Sequence, residues 1–334
     1  MPIKAIQKYK LLKKKLELSI LKIVLSGRFR ENDVYLMTSS PRSGSTMLGN
    51  ALKIIPRSFV LFEPLHLRQV SEAKAAGFLW RTYVSPETKW GNGKLFLKKV
   101  FEGKVINDWT RREMAFCESL RANKLVVKFV RASQLLPWIC NNFEIQKPIL
   151  LIRHPCAVIA SQLKSSSDWN NTSRPEAPEF IKNFPLFKSV LQSTETEEEY
   201  LAAQWALDQL PALTQIKSEG IIAITYEELI IHPKETLSKI FKSWNLDVDI
   251  DDAVSRLKKP SSVVHKSGIS GIDGWKRQLS TDQIHKILSI TTKFGLTFYG
   301  KDELPNLELL HSHALPEIIC EAGGALKTKN LINL

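Results

Sequence analysis

The chain has 334 residues, 43% hydrophobic and 24% charged, which is the profile of a folded protein with a sizeable core and excludes a disordered chain. A formal net charge of +13, much of it in the first thirty residues, points to anionic partners: nucleotide phosphates, acidic glycans, anionic lipid or nucleic acid. Nucleic acid is not the expected choice, because zinc-finger spacing, an RNP-like aromatic motif and a clear helix-turn-helix are all missing.

No run reaches about 18 consecutive apolar residues, so no membrane-spanning helix is expected. Cys117, Cys140, Cys156 and Cys320 are scattered without C-x-x-C or metal-ligand spacing, and are expected to be reduced thiols; no metal is expected.

In chain order, Ile3–Leu25 places Ile6, Tyr9, Leu12, Leu16, Ile20 and Ile23 at helical spacing among many lysines. This predicts an amphipathic helix suited to an anionic membrane, or one packed on its own domain or a second subunit with its charges solvated. The stretch Val34–Met37 then reads as a short strand, Ser39–Thr46 as a polar turn, and Thr46–Leu52 as a helix. Strand, tight turn and helix bring backbone N–H groups and a helix N-terminus onto an anion. Gly44 lets the backbone approach closely, Arg42 adds charge, and Ser43, Ser45 and Thr46 add hydroxyl donors. Ser45 stands where a Walker A loop has lysine, which disfavours a nucleoside triphosphate with magnesium.

Ser58–Phe62 is a second expected strand, ending at Glu63-Pro64-Leu65-His66, where Pro64 keeps the carboxylate at a strand end. Leu67–Asn123 reads as helical stretches with a glycine-rich turn at Gly91-Asn92-Gly93; its Trp80, Trp90 and Trp109 could be core or could wall a ligand site. Lys124–Val130 is an apolar run broken by Lys128, which is costly inside a buried strand unless paired, or tolerable on an edge strand where it snorkels to water. Ile149–Leu163 reads as a buried strand, the turn Arg153-His154-Pro155, and a helix carrying Ser161.

Ser165–Thr194 is polar and proline-bearing, and reads as a long loop of the kind that carries specificity. A helix over Glu195–Gln215, a strand over Ile221–Thr225 and helices through Trp244 follow. Lys258–Trp275 is basic and glycine-punctuated, a segment able to close over a nucleotide; a helix runs from Thr281 to about Thr292.

Two of these segments together, PRSGST at the loop and ILLIRHPCAVIASQL (Ile149–Leu163) with its Arg153 and Ser161, resemble the cofactor-binding elements of the PAPS-dependent sulfotransferases (PAPS is 3′-phosphoadenosine-5′-phosphosulfate). LFEPLH (Leu61–His66) and VVKFVR (Val126–Arg131) are similar in style to the carbohydrate branch of that family, and ITYEELIIHPKETLSKIF (Ile224–Phe241) to its strand-then-Y-E-[DE]-L segment. HKSGISGIDGWKRQLS (His265–Ser280) resembles a degenerate form of its C-terminal cofactor loop. The resemblance spans roughly Val34 to Ser280.

The resemblance implies that Arg42, Ser43, Gly44, Ser45 and Thr46 hold the 5′-phosphosulfate, that Arg153 and Ser161 hold the 3′-phosphate, and that Lys266 and Gly268 add contacts where the family has R-K-G. It implies Glu63 as general base, with His66 as second choice, and Arg42 and Lys128 as neutralisers of charge on the bridging oxygen, with Arg131 also reaching toward the sulfonate or an acidic acceptor.

Alternating strands and helices argue one α/β domain with a central parallel sheet flanked by helices, a P-loop-like fold over residues 31–300, preceded by the basic helix 1–30 and followed by an extension 301–334. The expected reaction is sulfonyl transfer from PAPS to an acceptor hydroxyl, on a carbohydrate or glycolipid, with PAP (3′-phosphoadenosine-5′-phosphate) as product. Protein tyrosine or a small metabolite are alternative acceptors, and a P-loop-type kinase or a non-catalytic membrane- or anion-binding protein are alternatives of another class. The expected location is cytoplasmic and peripheral to membrane in a bacterial relative, or the Golgi lumen if the sequence is a trimmed eukaryotic domain.

Overall fold

A computed structural model describes residues 3–164, 178–185, 187–215, 220–257 and 271–312. Five strands form one parallel sheet in the order β2-β3-β1-β4-β5: β1 Val34–Ser39, β2 Ser58–Phe62, β3 Lys124–Lys128, β4 Ile149–Ile152 and β5 Ile222–Thr225. Each strand is a nearly unbroken apolar run because both faces of the sheet are covered. Alternate side chains divide between two cores. Val34, Leu36, Leu125, Val127, Leu150 and Ile152 join Trp138, Trp205 and Ile290 on one face. Tyr35, Met37, Val126, Ile149 and Leu151 join Leu48, Leu52, Ile240 and Phe241 on the other.

The chain leaves β1 toward β2 on one side and leaves β4 toward β5 on the other. The carboxyl ends of β1 and β4 therefore flank the crevice where connections reverse, the place where open α/β sheets bind ligands. Helix α2 (Ser45–Leu52) follows β1 directly.

Several sequence expectations need correction. Gly91-Asn92-Gly93 opens the helix Gly91–Phe101 instead of forming a turn; Phe96, Leu97, Val100 and Phe101 bury one face of it, and Gly93 is bare because a Cβ there would run into the Trp90 ring. The expected loop over 165–194 contains the helices Pro178–Asn183 and Phe187–Gln192, anchored by buried Phe180 and Phe187. The basic, glycine-punctuated segment Lys258–Trp275 lies outside the described residues over 258–270; its described end runs into the 3-10 turn Gly274–Arg277, whose Trp275 is buried.

Helix α1 (Ile3–Leu25) forms as expected, yet it seats itself through Leu18, Leu21 and Leu25, not through the apolar positions that marked it in the sequence. No helix among the described residues is long and apolar enough to cross a membrane. Cys156 is fully buried and Cys140 half-buried, and burial pushes both thiols up to about 12, so both act as packing groups. Cys320 lies outside the described residues.

Candidate active site

Three strand ends carry residues that an L-amino acid rarely adopts. Arg42 after β1, Glu63 after β2 and Arg131 after β3 have φ of 72°, 42° and 76°. Left-handed backbone costs about 1–2 kcal/mol at each such residue, so the surrounding hydrogen bonds must hold it. They do: the Glu63 N–H donates to the Lys128 carbonyl at 2.8 Å, the Arg131 N–H to the Ser39 carbonyl at 3.1 Å, and Arg153 Nη1 to the Arg42 carbonyl at 3.0 Å. All three belong to the residues that the motif pattern singles out, and adjacent parallel strands bring them to the carboxyl end of the sheet.

The turn after β1 is built by its own sequence. Gly44 takes φ 90° at the N-terminus of α2, where the backbone must reverse. A Cβ there would run into the ring of Tyr226, which lies across the loop. Gln162 Nε2 donates to the Pro41 carbonyl at 3.3 Å and Gln209 Nε2 to Ser40 Oγ at 2.7 Å, pinning the turn from two helices. Ser39 Oγ and Ser43 Oγ are buried without a hydrogen-bond partner.

Two arginines meet at this crevice. Arg42 Nε donates to Ser161 Oγ at 2.8 Å, and Arg153, at the end of β4, lies with its guanidinium 4.2 Å from the centre of the Tyr226 ring. Burial lowers the Arg42 pKa, and the neighbouring Arg153 lowers it further. Neither forms an ion pair with a carboxylate among the described residues, and Arg153 Nε is a buried donor without a partner. Two adjacent cations, three orphaned polar atoms and a helix N-terminus fit a multiply charged anion such as a nucleotide carrying phosphates at both ends. Arg42, Ser43, Gly44, Ser45, Arg153 and Ser161 are brought together as the sequence anticipates. Lys266 and Gly268 lie outside the described residues.

The turn bearing Arg153 is held by elements far along the chain. Thr225 caps the helix Tyr226–Ile231 in a reciprocal capping box with Glu228. That cap aims Glu227, the residue before Glu228, inward, where it accepts from the His154 N–H at 3.1 Å and from the Tyr299 hydroxyl at 2.7 Å. His154 stacks on Trp275 with ring centroids 4.5 Å apart, and burial pushes its imidazole down to about 4. Tyr226 is a site residue that motif reading missed; the T-x-x-E capping signature within TYEE was the available clue.

On the β2 and β3 side, Lys128 is only 2% exposed. β3 lies between β2 and β1, so the edge-strand explanation for this lysine is excluded. Its Nζ donates to Thr46 Oγ1 at 2.9 Å and sits 4.3 Å from the centre of the Phe62 ring. Burial pushes its pKa down to about 8, with Glu63 opposing. Burial raises the Glu63 pKa, opposed by Lys128, Arg131 and Arg112. Arg131 is likewise pushed down to about 10, chiefly by burial and then by Arg81.

His66 is wedged between Trp80 and Trp109, at 5.1 and 4.6 Å between centroids, and its Nδ1 is buried without a hydrogen-bond partner. Burial and Arg131 keep it toward the neutral form. Arg131 lies 4.7 Å from the centre of the Trp80 ring and Arg112 4.6 Å from that of Trp109, so each tryptophan presents a face already covered by a guanidinium. Trp90 packs in the core against Phe78 and Trp138.

No protein-family model matches the chain, and no curated protein matches it. Among solved structures it is similar to the sulfotransferase domain of the Synechococcus PCC 7002 olefin synthase, at 17% identity, covering 89% of this chain and 90% of that one with a TM-score of 0.38. Mouse sulfotransferase SULT7A1, complexed with PAP, matches at 14% identity over 83% and 88% with a TM-score of 0.43. The sulfotransferase domain from the curacin biosynthetic pathway matches at 19% identity over 89% and 99% with a TM-score of 0.40. All three are sulfotransferases. The chemistry of the site here is carried by its own residues.

Proposed function

We propose that this chain is a sulfotransferase that moves the sulfonate of PAPS to an acceptor hydroxyl on a carbohydrate or glycolipid. The observation that carries the reading is the paired Arg42 and Arg153 at the β1/β4 crevice, joined by the Arg153 Nη1 bond to the Arg42 carbonyl, with Ser161 on Arg42 Nε and neither guanidinium in an ion pair with a carboxylate among the described residues. In this reading Arg153 and Ser161 bind the 3′-phosphate, and the loop amides with Ser43, Ser45 and Thr46 bind the 5′-phosphosulfate.

The chain's groups then have distinct tasks. Glu63, its basicity raised by burial, takes the proton from the acceptor hydroxyl as that oxygen bonds to sulfur. The bond between sulfur and the bridging phosphate oxygen breaks with its electron pair going to PAP. Lys128, Arg42 and the α2 N-terminus neutralise the charge that builds there. Glu63 afterwards loses the proton to solvent, so the products are sulfated acceptor, PAP and a proton. Trp80, Trp109, Arg112 and His66 border the acceptor side and present rings and donors suited to a hydroxylated ring.

The test is transfer of label from sulfur-labelled PAPS to a panel holding glycans, glycolipids, a tyrosine peptide and a phenol. Label on a glycan or glycolipid, lost with Arg42→Ala, is expected. Label on the peptide or phenol alone would overturn the acceptor class, and no transfer alongside turnover of ATP with magnesium would overturn the reaction.

A further inference from the structure

Helix α1 has two apolar faces, and the domain uses one. Leu18, Leu21 and Leu25 lie on the face packed against the core; Glu17 meets Arg111 at 3.5 Å and Lys14 meets Asp108 at 3.2 Å on the same side. Tyr9, Leu12, Leu16, Ile20 and Ile23 recur at steps of three and four residues and so share another face, about 200° round from Leu18 when counted from Leu16. That second face is bare except at half-buried Ile20. Tyr9 is 67% exposed, Leu12 57%, Leu16 63% and Ile23 78%. Ile6 and Leu11 are exposed outside the stripe.

Lysines border the bare stripe. Lys8, Lys15 and Lys22 follow at heptad spacing along one flank, and Lys13 stands on the other, all exposed. The helix contains a single acid, Glu17, and it is turned to the domain. At the foot of the helix Lys22 opens into a cleft of about 620 Å³, where Lys99 and Lys104 stand over Phe96 and Leu95, with Glu72 also in its wall. The lysine flank thus continues from the helix into the domain beside another exposed apolar side chain, Leu95.

From this arrangement we infer that α1 is an interfacial helix that lays its Tyr9–Ile23 stripe into the surface of an anionic lipid bilayer, with Lys8, Lys15, Lys22 and Lys99 on the headgroups. Charge decides between lipid and a second copy of the chain. Pairing two such stripes would bring lysine flank to lysine flank with no acid on the outward face to compensate. Anionic headgroups complement those lysines, while the acyl boundary takes the leucines and isoleucines and the interface takes Tyr9. The face seated on the domain fixes the orientation, so the domain would stand over the membrane at a set angle. The inference is independent of the reaction proposed above.

The full chain, sedimented with vesicles of phosphatidylcholine plus phosphatidylserine, is expected to bind, and to bind pure phosphatidylcholine vesicles at least about tenfold more weakly. The double variant Leu12→Glu/Leu16→Glu should lose binding while its circular dichroism, thermal midpoint and PAP affinity are kept, since both side chains point away from the domain. The charge variant Lys8→Glu/Lys15→Glu should lose the preference for phosphatidylserine but keep the apolar stripe. Equal retention on both vesicle types by the wild-type chain and the double variant would overturn the inference. So would a dimer in light scattering that Leu12→Glu/Leu16→Glu converts to monomer, which would give the stripe to a second copy.

Discussion

At the ends of β1 and β4 the candidate site groups come from two short contiguous segments, Ser39–Thr46 and Arg153–Ser161, each a turn that leads from a strand end into a helix. At the ends of β2 and β3 the corresponding groups come from scattered places: Glu63 and His66 from one turn, Trp80 and Trp109 from connecting segments, Lys128 and Arg131 from another strand end. The first half is made largely of backbone geometry, which is local. The second half is made of side chains whose meeting depends on tertiary packing. In the proposed reaction that difference would separate the groups that fix the nucleotide from those that select the acceptor.

Substitutions should divide along the same line. The largest effect is expected from Arg42→Ala, which should lower transfer by about 10²–10³-fold with the thermal midpoint nearly unchanged, because Arg42 is bonded to Ser161 and not to a structural carboxylate. Transfer near the wild-type rate would remove the loop from the mechanism. Glu63→Gln should lower kcat by about 10²-fold and leave PAP affinity intact, as expected of a group on the acceptor half. An unchanged pH–rate profile in that variant would move the base to His66 or to water.

Gly44→Ala should weaken PAP binding and cost roughly 1–3 kcal/mol of stability, read by denaturant unfolding, since φ 90° and the Tyr226 ring both oppose a Cβ. The sign for Lys128 is specific. Its pKa falls from 10.5 to about 8 in the folded protein, so the folded state gives up the proton first, and stability from this group rises as pH climbs from about 8 to 10.5. Lys128 crosses the divide, since its Nζ reaches Thr46 of the β1 loop, and binding of an anion there runs the other way: PAP affinity should fall, by less than about tenfold per pH unit, as pH rises through 8. Lys128→Arg should flatten that slope in calorimetric titrations. The smallest effect belongs to Trp80→Ala, which should raise the acceptor KM a few-fold with PAP affinity unchanged.

The sequence made the sheet legible because each strand is a nearly unbroken apolar run, and it made the loop legible as a polar turn between strand and helix, a pattern that an ordinary Ser/Gly turn shares with an anion-binding one. Lys128 was legible as an anomaly, and its position in an interior strand shows why a charge is kept there. Tyr226 was not, because its place against Gly44 depends on where β5 falls in the sheet. The guanidinium cover on Trp80 and Trp109 was equally hidden, since Arg112 and Arg131 reach them from separate elements. In α1 the apolar period was visible, but periodicity alone does not say which of two apolar faces the domain covers.

The central claim is that the β1/β4 crevice binds a nucleotide with phosphate at both the 3′ and 5′ positions. Calorimetric titration of the chain with PAP, beside ATP with magnesium, tests it directly. Binding of PAP well ahead of ATP, abolished by Arg153→Ala, is the predicted result; binding of ATP with magnesium and not PAP, or PAP binding indifferent to Arg153→Ala, would contradict it.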